Sequence, residues 1–249
     1  MNGIKISLIT ISRNAATTIQ RCMDSIFMQA YHNLEYIVID GNSDDGTWET
    51  ILKNKADIHF FKSESDLGIY DAINKGIIHA TGDVVGVLNA DDYFVDEEVL
   101  SAVAGCFEDK DTDVVYADLD YVGHNDQVVR RWRAGNYERN HFNYGWMPPH
   151  PTFYVRRRLF DTFGLYRGDY GSAADYELML RFMYLNKTKV SYLNKVIVKM
   201  KTGGISNRYL GNRLLAWQSD YKAMKMNHIN IPLLAVMLKP LRKIAQFFC

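Results

Sequence analysis

Apolar positions in the first part of the chain alternate between two rhythms. Lys5 to Ile11 is a short β-branched run that predicts a first strand. Ala15, Ala16, Ile19, Cys22, Met23, Ile26 and Phe27 follow at helical spacing and form one stripe, with Asn14 placed to cap that helix. Glu35 to Asp40 predicts a second strand, and the turn-rich Gly41–Thr47 leads into a short helix. Ile58 to Phe61 predicts a third strand. Ile69, Ala72, Ile73, Gly76, Ile77 and Ala80 then mark one face of a third helix. Val84 to Leu88 predicts a fourth strand, buried on both faces and ending in Asn89-Ala-Asp-Asp92. Strand and helix alternating at this rhythm predict an α/β sheet with parallel strands.

The second half changes character. Asp113–Ala117 reads as a strand, and Tyr121–Trp132 as a hairpin turning at Gly123–Asp126. Arg130, Arg131 and Arg133 bracket Trp132, which fits the charged outer face of an edge strand better than a clamp for phosphate or acceptor. Tyr144–Pro151 is a constrained aromatic loop containing His150, and Phe153–Val155 a further strand. Gly168–Asp175 leads into a helix with Asp175 and Glu177 in its first turn, where the helix dipole favours carboxylates. Val196–Met200 reads as a last strand, and Thr202–Ser206 as a loop able to close over a ligand.

Length and charge narrow the function. The 249 residues suffice for one large domain, and 47% hydrophobic with 23% charged residues marks a globular chain. Lys+Arg and Asp+Glu balance at 29 each, so a general nucleic-acid footprint is not supported. Cys22, Cys106 and Cys249 have no metal-ligand spacing, and no secretory leader is recognisable after Met1. A cytoplasmic location is expected, peripheral on the inner face of the membrane if the tail engages lipid. That tail carries Lys222, Lys225, Lys239, Arg242 and Lys243 among apolar residues, with no acid after Asp220. Its amphipathic, one-signed composition suits an anionic membrane surface; the alternative is packing on its own domain or on a partner chain. The expected division is a catalytic domain over residues 1–222, with a nucleotide half to about 110 and an acceptor half beyond it, followed by a tail over 223–249.

In parallel α/β sheets, ligands gather outside the carboxyl ends of the strands. Asn14, Asp40, Asp66 and Asp91 all fall there. Asp91 and Asp92 are costly at the end of a buried strand unless neutralised, and a hard divalent ion does this through oxygen ligands. A solvated turn with an Asp cap would also account for them. The G-x-G-x-x-G and P-loop signatures are absent, so phosphate charge would be met by a metal.

In order, these segments resemble the bacterial family 2 glycosyltransferases with a GT-A fold over roughly Lys5–Ser206. The matching stretches are Thr10-x-Ser12-x-Asn14, Val38–Thr47, Glu64–Ile77, Ala80–Asp83, Leu88–Asp92, His150–Thr152, Asp175–Glu177 and Gly203–Ser206. The resemblance implies a Rossmann-like, mostly parallel sheet flanked by helices, with a helical C-terminal tail. It also implies a nucleotide-sugar donor, most simply a UDP-sugar, with Mn²⁺ or Mg²⁺ and inversion at the anomeric carbon. Many members begin the metal motif with Asp where this chain has Asn89. Metal contact therefore falls to Asp91 and Asp92, and Asn89 becomes a nucleotide-side contact. By the same resemblance Asp40 and Asp66 would bind the base, and Thr10, Ser12 and Asn14 the nearby nucleoside. Asp175 would be the general base, with His150 and Glu177 lining the acceptor or diphosphate region. The acceptor would be a glycan or lipid-linked saccharide of cell-surface polysaccharide synthesis. A sugar nucleotidyltransferase would need a glycine-rich loop after the first strand, which Ser12–Ala15 does not provide. A non-catalytic sugar-nucleotide-binding module would not need the acids that are present.

Overall fold

The computed structural model describes residues 3–202, 210–243 and 245–247. Gly203–Ser206, the expected closing loop, lies outside the described residues. The first half follows the alternation in the sequence. Strand β1 (Ile6–Ser12) leads to α1 (Ile19–Phe27), β2 (Leu34–Asp40), α2 (Thr47–Lys53), β3 (Phe60–Ser63), α3 (Ile69–His79) and β4 (Val84–Val87). These strands are parallel in the order β3-β2-β1-β4. Leu8, Tyr36 and Val38 point to one face, with α1 and α4 (Val99–Cys106); Ile9, Ile37 and Ile39 point to the other, with α3. Alternating side chains in a doubly covered sheet must be apolar on both faces, which is why these strands read as unbroken apolar runs.

The second half is mixed rather than mostly parallel. Strand β8 (Tyr154–Arg156) runs antiparallel to β4 and joins it to β6 (Val114–Val122). The long β9 (Val190–Lys201) lies parallel to β6, and the short β5 (Asp92–Phe94) antiparallel to β9. The hairpin strand β7 (Val128–Trp132) pairs with β6 outside this path. Among the described residues the sheet has nine strands, and β8 is its seam: through it the ends of β4 and β6 open on one crevice. Three differences from the sequence reading stand out. Helix α1 begins at Ile19, so Asn14 caps nothing. Helix α4 and strand β5 have no counterpart in the expected elements.

The C-terminal segment is a wall of the fold. Helices α7 (Leu210–Met226) and α8 (Pro232–Arg242) pack against each other and against the 3₁₀ turns over residues 139–144 and 168–173. Ala223, Met224, Ile229, Ala235 and Val236 belong to the same core as β1 and α3. The boundary expected at residue 222 therefore falls inside α7. The two prolines fit this geometry differently. Pro232 opens α8, where a missing N–H costs nothing, whereas Pro240 lies inside its last turns. No helix among the described residues is long and apolar enough to cross a membrane.

Gly145 makes the closest approach between the wall and the body. Its φ is +74°, and a Cβ there would lie 2.5 Å from the carbonyl oxygen of Ala235 and 2.6 Å from the Lys239 nitrogen. The backbone of α8 thus rests directly on a residue without a side chain. Gly145→Ala should cost about 1–3 kcal/mol of overpacking and strain. For a chain of this length that lowers Tm by roughly 2–4 °C per kcal/mol in a thermal melt. An unchanged melt would mean that α8 does not dock here.

Candidate active site

The rim of the parallel half is knitted by short polar side chains. Asp40 is fully buried at the end of β2, and its carboxylate accepts from Ser12 Oγ at 2.9 Å, Ser43 Oγ at 2.5 Å, Ser63 Oγ at 2.6 Å and the Ser43 amide at 3.0 Å. A carboxylate so fully satisfied ties three loops together and has no free face for a base. Ser12 is spent on the same knot. Thr10 is buried in the core, 3.9 Å from Cys22 Sγ. Asn14, at φ +51°, bridges the β1 and β2 loops: its amide donates to Ser43 Oγ at 2.9 Å and its Oδ1 accepts from the Asp44 amide at 3.1 Å. Of the residues expected at the nucleoside, Asn14 is exposed and Asp66 half-buried, and Asp66 keeps a carboxylate at the rim. A Cβ on Gly41 would lie 2.4 Å from Asp66 Oδ2 and 3.4 Å from Arg13, so the missing side chain lets these groups converge. Gly41 and Arg13 were not apparent from the sequence; a glycine directly after a strand-end Asp was the available signal.

The two adjacent acids after β4 differ. Asp91 is half-buried, whereas Asp92 begins β5 and is 1% exposed. Asn89 Nδ2 donates to Asp92 Oδ2 at 3.2 Å, and Oδ1 has no hydrogen-bond partner among the described residues. Burial, and then the charge of Asp91, push the Asp92 carboxyl well above the ordinary range. No group of three or more His, Cys, Asp or Glu side chains capable of holding a metal occurs among the described residues. This donor set fits a divalent ion that takes one or two carboxylates and completes its shell with water and substrate phosphate. Asp91 supplies the accessible oxygen, and the orphaned Asp92 oxygen marks where positive charge is missing. Asn89 supports Asp92 directly.

Across the crevice, the loop over residues 168–173 turns at Gly171, which has a positive φ and non-helical backbone, and delivers Asp175 to the start of α6 (Ala174–Met179). The N-cap position of α6 is Ala173, and Asp175 Oδ1 accepts from the first-turn amide of Tyr176 at 2.7 Å. Its Oδ2 lies 3.6 Å from Nδ1 of the half-buried His150. Burial lowers the His150 imidazolium, with Asp175 and Asp91 opposing, so His150 is within electrostatic reach of both acids. Tyr121 likewise feels both Asp92 and Asp175, and its hydroxyl is pushed up chiefly by burial. Tyr70 and Tyr166 stack beside Asp175, with centroids 5.6 Å apart.

Glu177 is elsewhere. It is fully buried, and Arg181 grips it through Nε at 3.0 Å and Nη2 at 2.9 Å while also donating to the carbonyls of Phe163, Gly164 and Leu165. Arg167 adds a contact at 3.3 Å. This i,i+4 pair beneath α6 fixes the loop before Asp175 and leaves Glu177 no access to an acceptor. The helix continues as a π turn over Leu180–Leu185, which the sequence did not disclose.

A family model described as glycosyl transferase family 2 matches residues 7–170. A Mycobacterium tuberculosis protein, the PGL/p-HBAD biosynthesis glycosyltransferase, is 28% identical over 218 residues, 84% of this chain and 82% of that one. Staphylococcus aureus TarS, solved with UDP-GlcNAc, superposes with a TM-score of 0.71 at 19% identity, covering 94% of this chain and 69% of that chain. The Pyrobaculum calidifontis mannosyltransferase PcManGT, solved with GDP-Man and Mn²⁺, gives 0.70 at 17% identity, covering 99% and 74%. Both likenesses show the fold, an α/β mixed sheet of GT-A type.

The strain at Asp92 has a measurable sign. Because its folded pKa is raised, the cost of ionising it is absent in acid and grows as pH rises past the ordinary carboxylate value of about 4. Asp92→Asn removes that cost. The variant should melt above the parent at alkaline pH, with the gap closing toward about pH 4, and Mn²⁺ should raise the melting point of the parent alone. Equal melting across the range would show that Asp92 carries no such penalty.

Proposed function

The chain belongs to glycosyl transferase family 2, and from that premise we propose that it moves a sugar from a nucleotide-sugar donor to an acceptor hydroxyl with inversion. A UDP-sugar is the proposed donor, and a glycan or lipid-linked saccharide in cell-surface polysaccharide assembly the proposed acceptor. The observation that carries this reading is the pairing of two unlike acid sites across one crevice. One is the Asn89–Asp92 turn, short of positive charge; the other is Asp175, whose Oδ2 faces His150 at 3.6 Å while its Oδ1 accepts from the Tyr176 amide.

The nucleotide half of the chain, to about residue 110, holds the donor. Asp66, beside Arg13 and Gly41, faces the base and ribose, while Asp40, Ser12 and Asn14 keep the loops around it in register. Asp91, backed by Asp92, would hold Mn²⁺ or Mg²⁺. Such an ion supplies stabilisation of the charge that develops on the departing phosphate oxygen.

The acceptor half supplies the proton transfer. Asp175 takes the hydroxyl proton as the acceptor oxygen bonds to the anomeric carbon, and the bond from that carbon to the nucleoside diphosphate breaks on the opposite face. His150, held uncharged by burial near neutral pH, leaves Asp175 without a fixed cation that would weaken it as a base. The Arg181–Glu177 clasp positions the base without touching substrate. Outside the crevice, Leu214, Leu215, Trp217, Leu233, Met237 and Leu241 are exposed on α7 and α8, in a segment without acids after Asp220. We place an anionic membrane against that face.

Turnover of UDP-, GDP- and dTDP-sugars with Mn²⁺ tests the activity. Asp175→Asn keeps size and shape but removes the base. It should bind UDP as the parent does and transfer sugar about a hundred- to ten-thousand-fold more slowly. Transfer at near-parental rate would remove Asp175 from the chemistry.

A further inference from the structure

A second cavity adjoins the crevice, and neither the donor nor the general base accounts for it. Its volume is about 320 Å³, and it is an open cleft lined by β7, the loop through Gly145 and the end of α8 with the following turn. Five cations line it: Arg131, Arg133, Lys239, Arg242 and Lys243. Trp132, Trp146 and Met147 supply its apolar surface. The β7 arginines therefore meet the tail lysines across one space, which neither segment signals alone.

The charges are not all answered. Arg133 pairs with Asp120 at 2.8 Å and approaches Asp118 at 3.6 Å, and Lys239 pairs with Asp220 at 2.5 Å while lying 3.7 Å over the Tyr176 ring. Arg242 and Lys243 form no ion pair with another described residue. Lys243 remains exposed at the edge of the cavity, and partial desolvation, then repulsion from Lys239 and Arg130, lowers it. The cavity is also built rather than incidental. Trp146 Nε1 donates to the Ala134 carbonyl at 3.0 Å, and Arg130 holds the closing turn by donating to Gln246 and stacking 5.3 Å from Phe247.

Two further observations narrow the ligand. Lys239 of the lining lies 3.7 Å over the ring of Tyr176, next to Asp175, and Lys243 is within electrostatic reach of Asp175 and His150, so the cavity neighbours the acceptor side. The same helix exposes Met237 and Leu241, and the turn exposes Phe247. A cationic cavity with indole walls, bordered by bare apolar side chains, suits a molecule with a phosphate at one end and hydrocarbon beyond it.

We propose that this cavity binds the phosphate or diphosphate of an amphiphilic acceptor and so aligns the acceptor hydroxyl with Asp175. The proposal rests on the reading of Asp175 as the general base. Cation–phosphate contacts are strong and directional, and the donor phosphates would be met separately, by the divalent ion that Asp91 would hold. The phosphate could instead come from a free anion or from a phospholipid headgroup, and the test separates these sources.

Tryptophan fluorescence of the full chain in EDTA is titrated with farnesyl diphosphate, farnesol, inorganic diphosphate and phosphatidylglycerol vesicles. Farnesyl diphosphate should bind, resist displacement by UDP, and lose about tenfold or more in affinity in the exposed-residue variant Arg242→Ala/Lys243→Ala. Arg242→Glu/Lys243→Glu should lose more, with melting unchanged in both. Undiminished binding by these variants overturns the proposal, as does displacement by UDP, which would assign the cavity to the donor. Farnesol binding as tightly overturns phosphate recognition; inorganic diphosphate binding as tightly overturns the amphiphile. Vesicle binding lost in the variants, without farnesyl diphosphate binding, would reassign the cavity to a membrane headgroup. UDP titration with Mn²⁺ runs in parallel: if UDP binds and farnesyl diphosphate does not, the cavity proposal alone falls.

Discussion

A carboxylate cannot stay ionised in a protein interior unless something positive or hydrogen-bonding meets it. The chain resolves this constraint in three ways, and its site follows from the differences. Glu35, at the far end of the sheet from the crevice, is held at about 2: burial opposes its charge, but bonds from Ser7, Thr81 and Lys5 overcome it. Asp40 is saturated by serines. Asp92 has one oxygen unanswered. The first two acids are architecture. The third is incomplete, and its incompleteness lies beside Asp91 at the mouth of β4, where an α/β sheet gathers its ligands.

The seam at β8 gives that incompleteness a use. By pairing antiparallel with both β4 and β6, it sets the donor-side turn and the acceptor-side loops on one crevice. His150 precedes β8, lies 3.6 Å from Asp175 and is within electrostatic reach of Asp91. The Arg181 clasp on Glu177 and three carbonyls fixes the approach to Asp175 from below. The wall built by α7 and α8 then closes the acceptor side with cations. A chain with no net charge thereby places acids at the rim of β4 and cations on the wall at the end of α8.

Much of this was legible in the sequence, for identifiable reasons. The β1–α1–β2–α2–β3–α3–β4 run is readable because each element is periodic or densely apolar, and local pattern decides it. Helix α4 (Val-Leu-Ser-Ala-Val-Ala-Gly-Cys) lacks a polar face to give it a period, and β5 exists only through pairing with β9 far along the chain. Asp91 and Asp92 stood out because two adjacent acids end a buried strand, whereas Asp175 was singled out by the family resemblance. Thr10, Asp40 and Glu177 were misplaced because a residue type does not reveal which way it faces: a core contact, a serine knot and an arginine clasp claim them. The arginines of β7 do lie on a solvated edge strand, as expected, and that they share a cavity with the end of α8 is hidden because the two segments are over a hundred residues apart.

Calorimetric titration with UDP, with and without Mn²⁺, in the parent and Asp91→Ala, tests the central claim most directly. The account predicts ion-dependent binding in the parent, abolished by EDTA and by the substitution, because Asp91 is the accessible protein oxygen for the ion. UDP binding of equal strength with or without the ion, and with or without the Asp91 carboxylate, would contradict it.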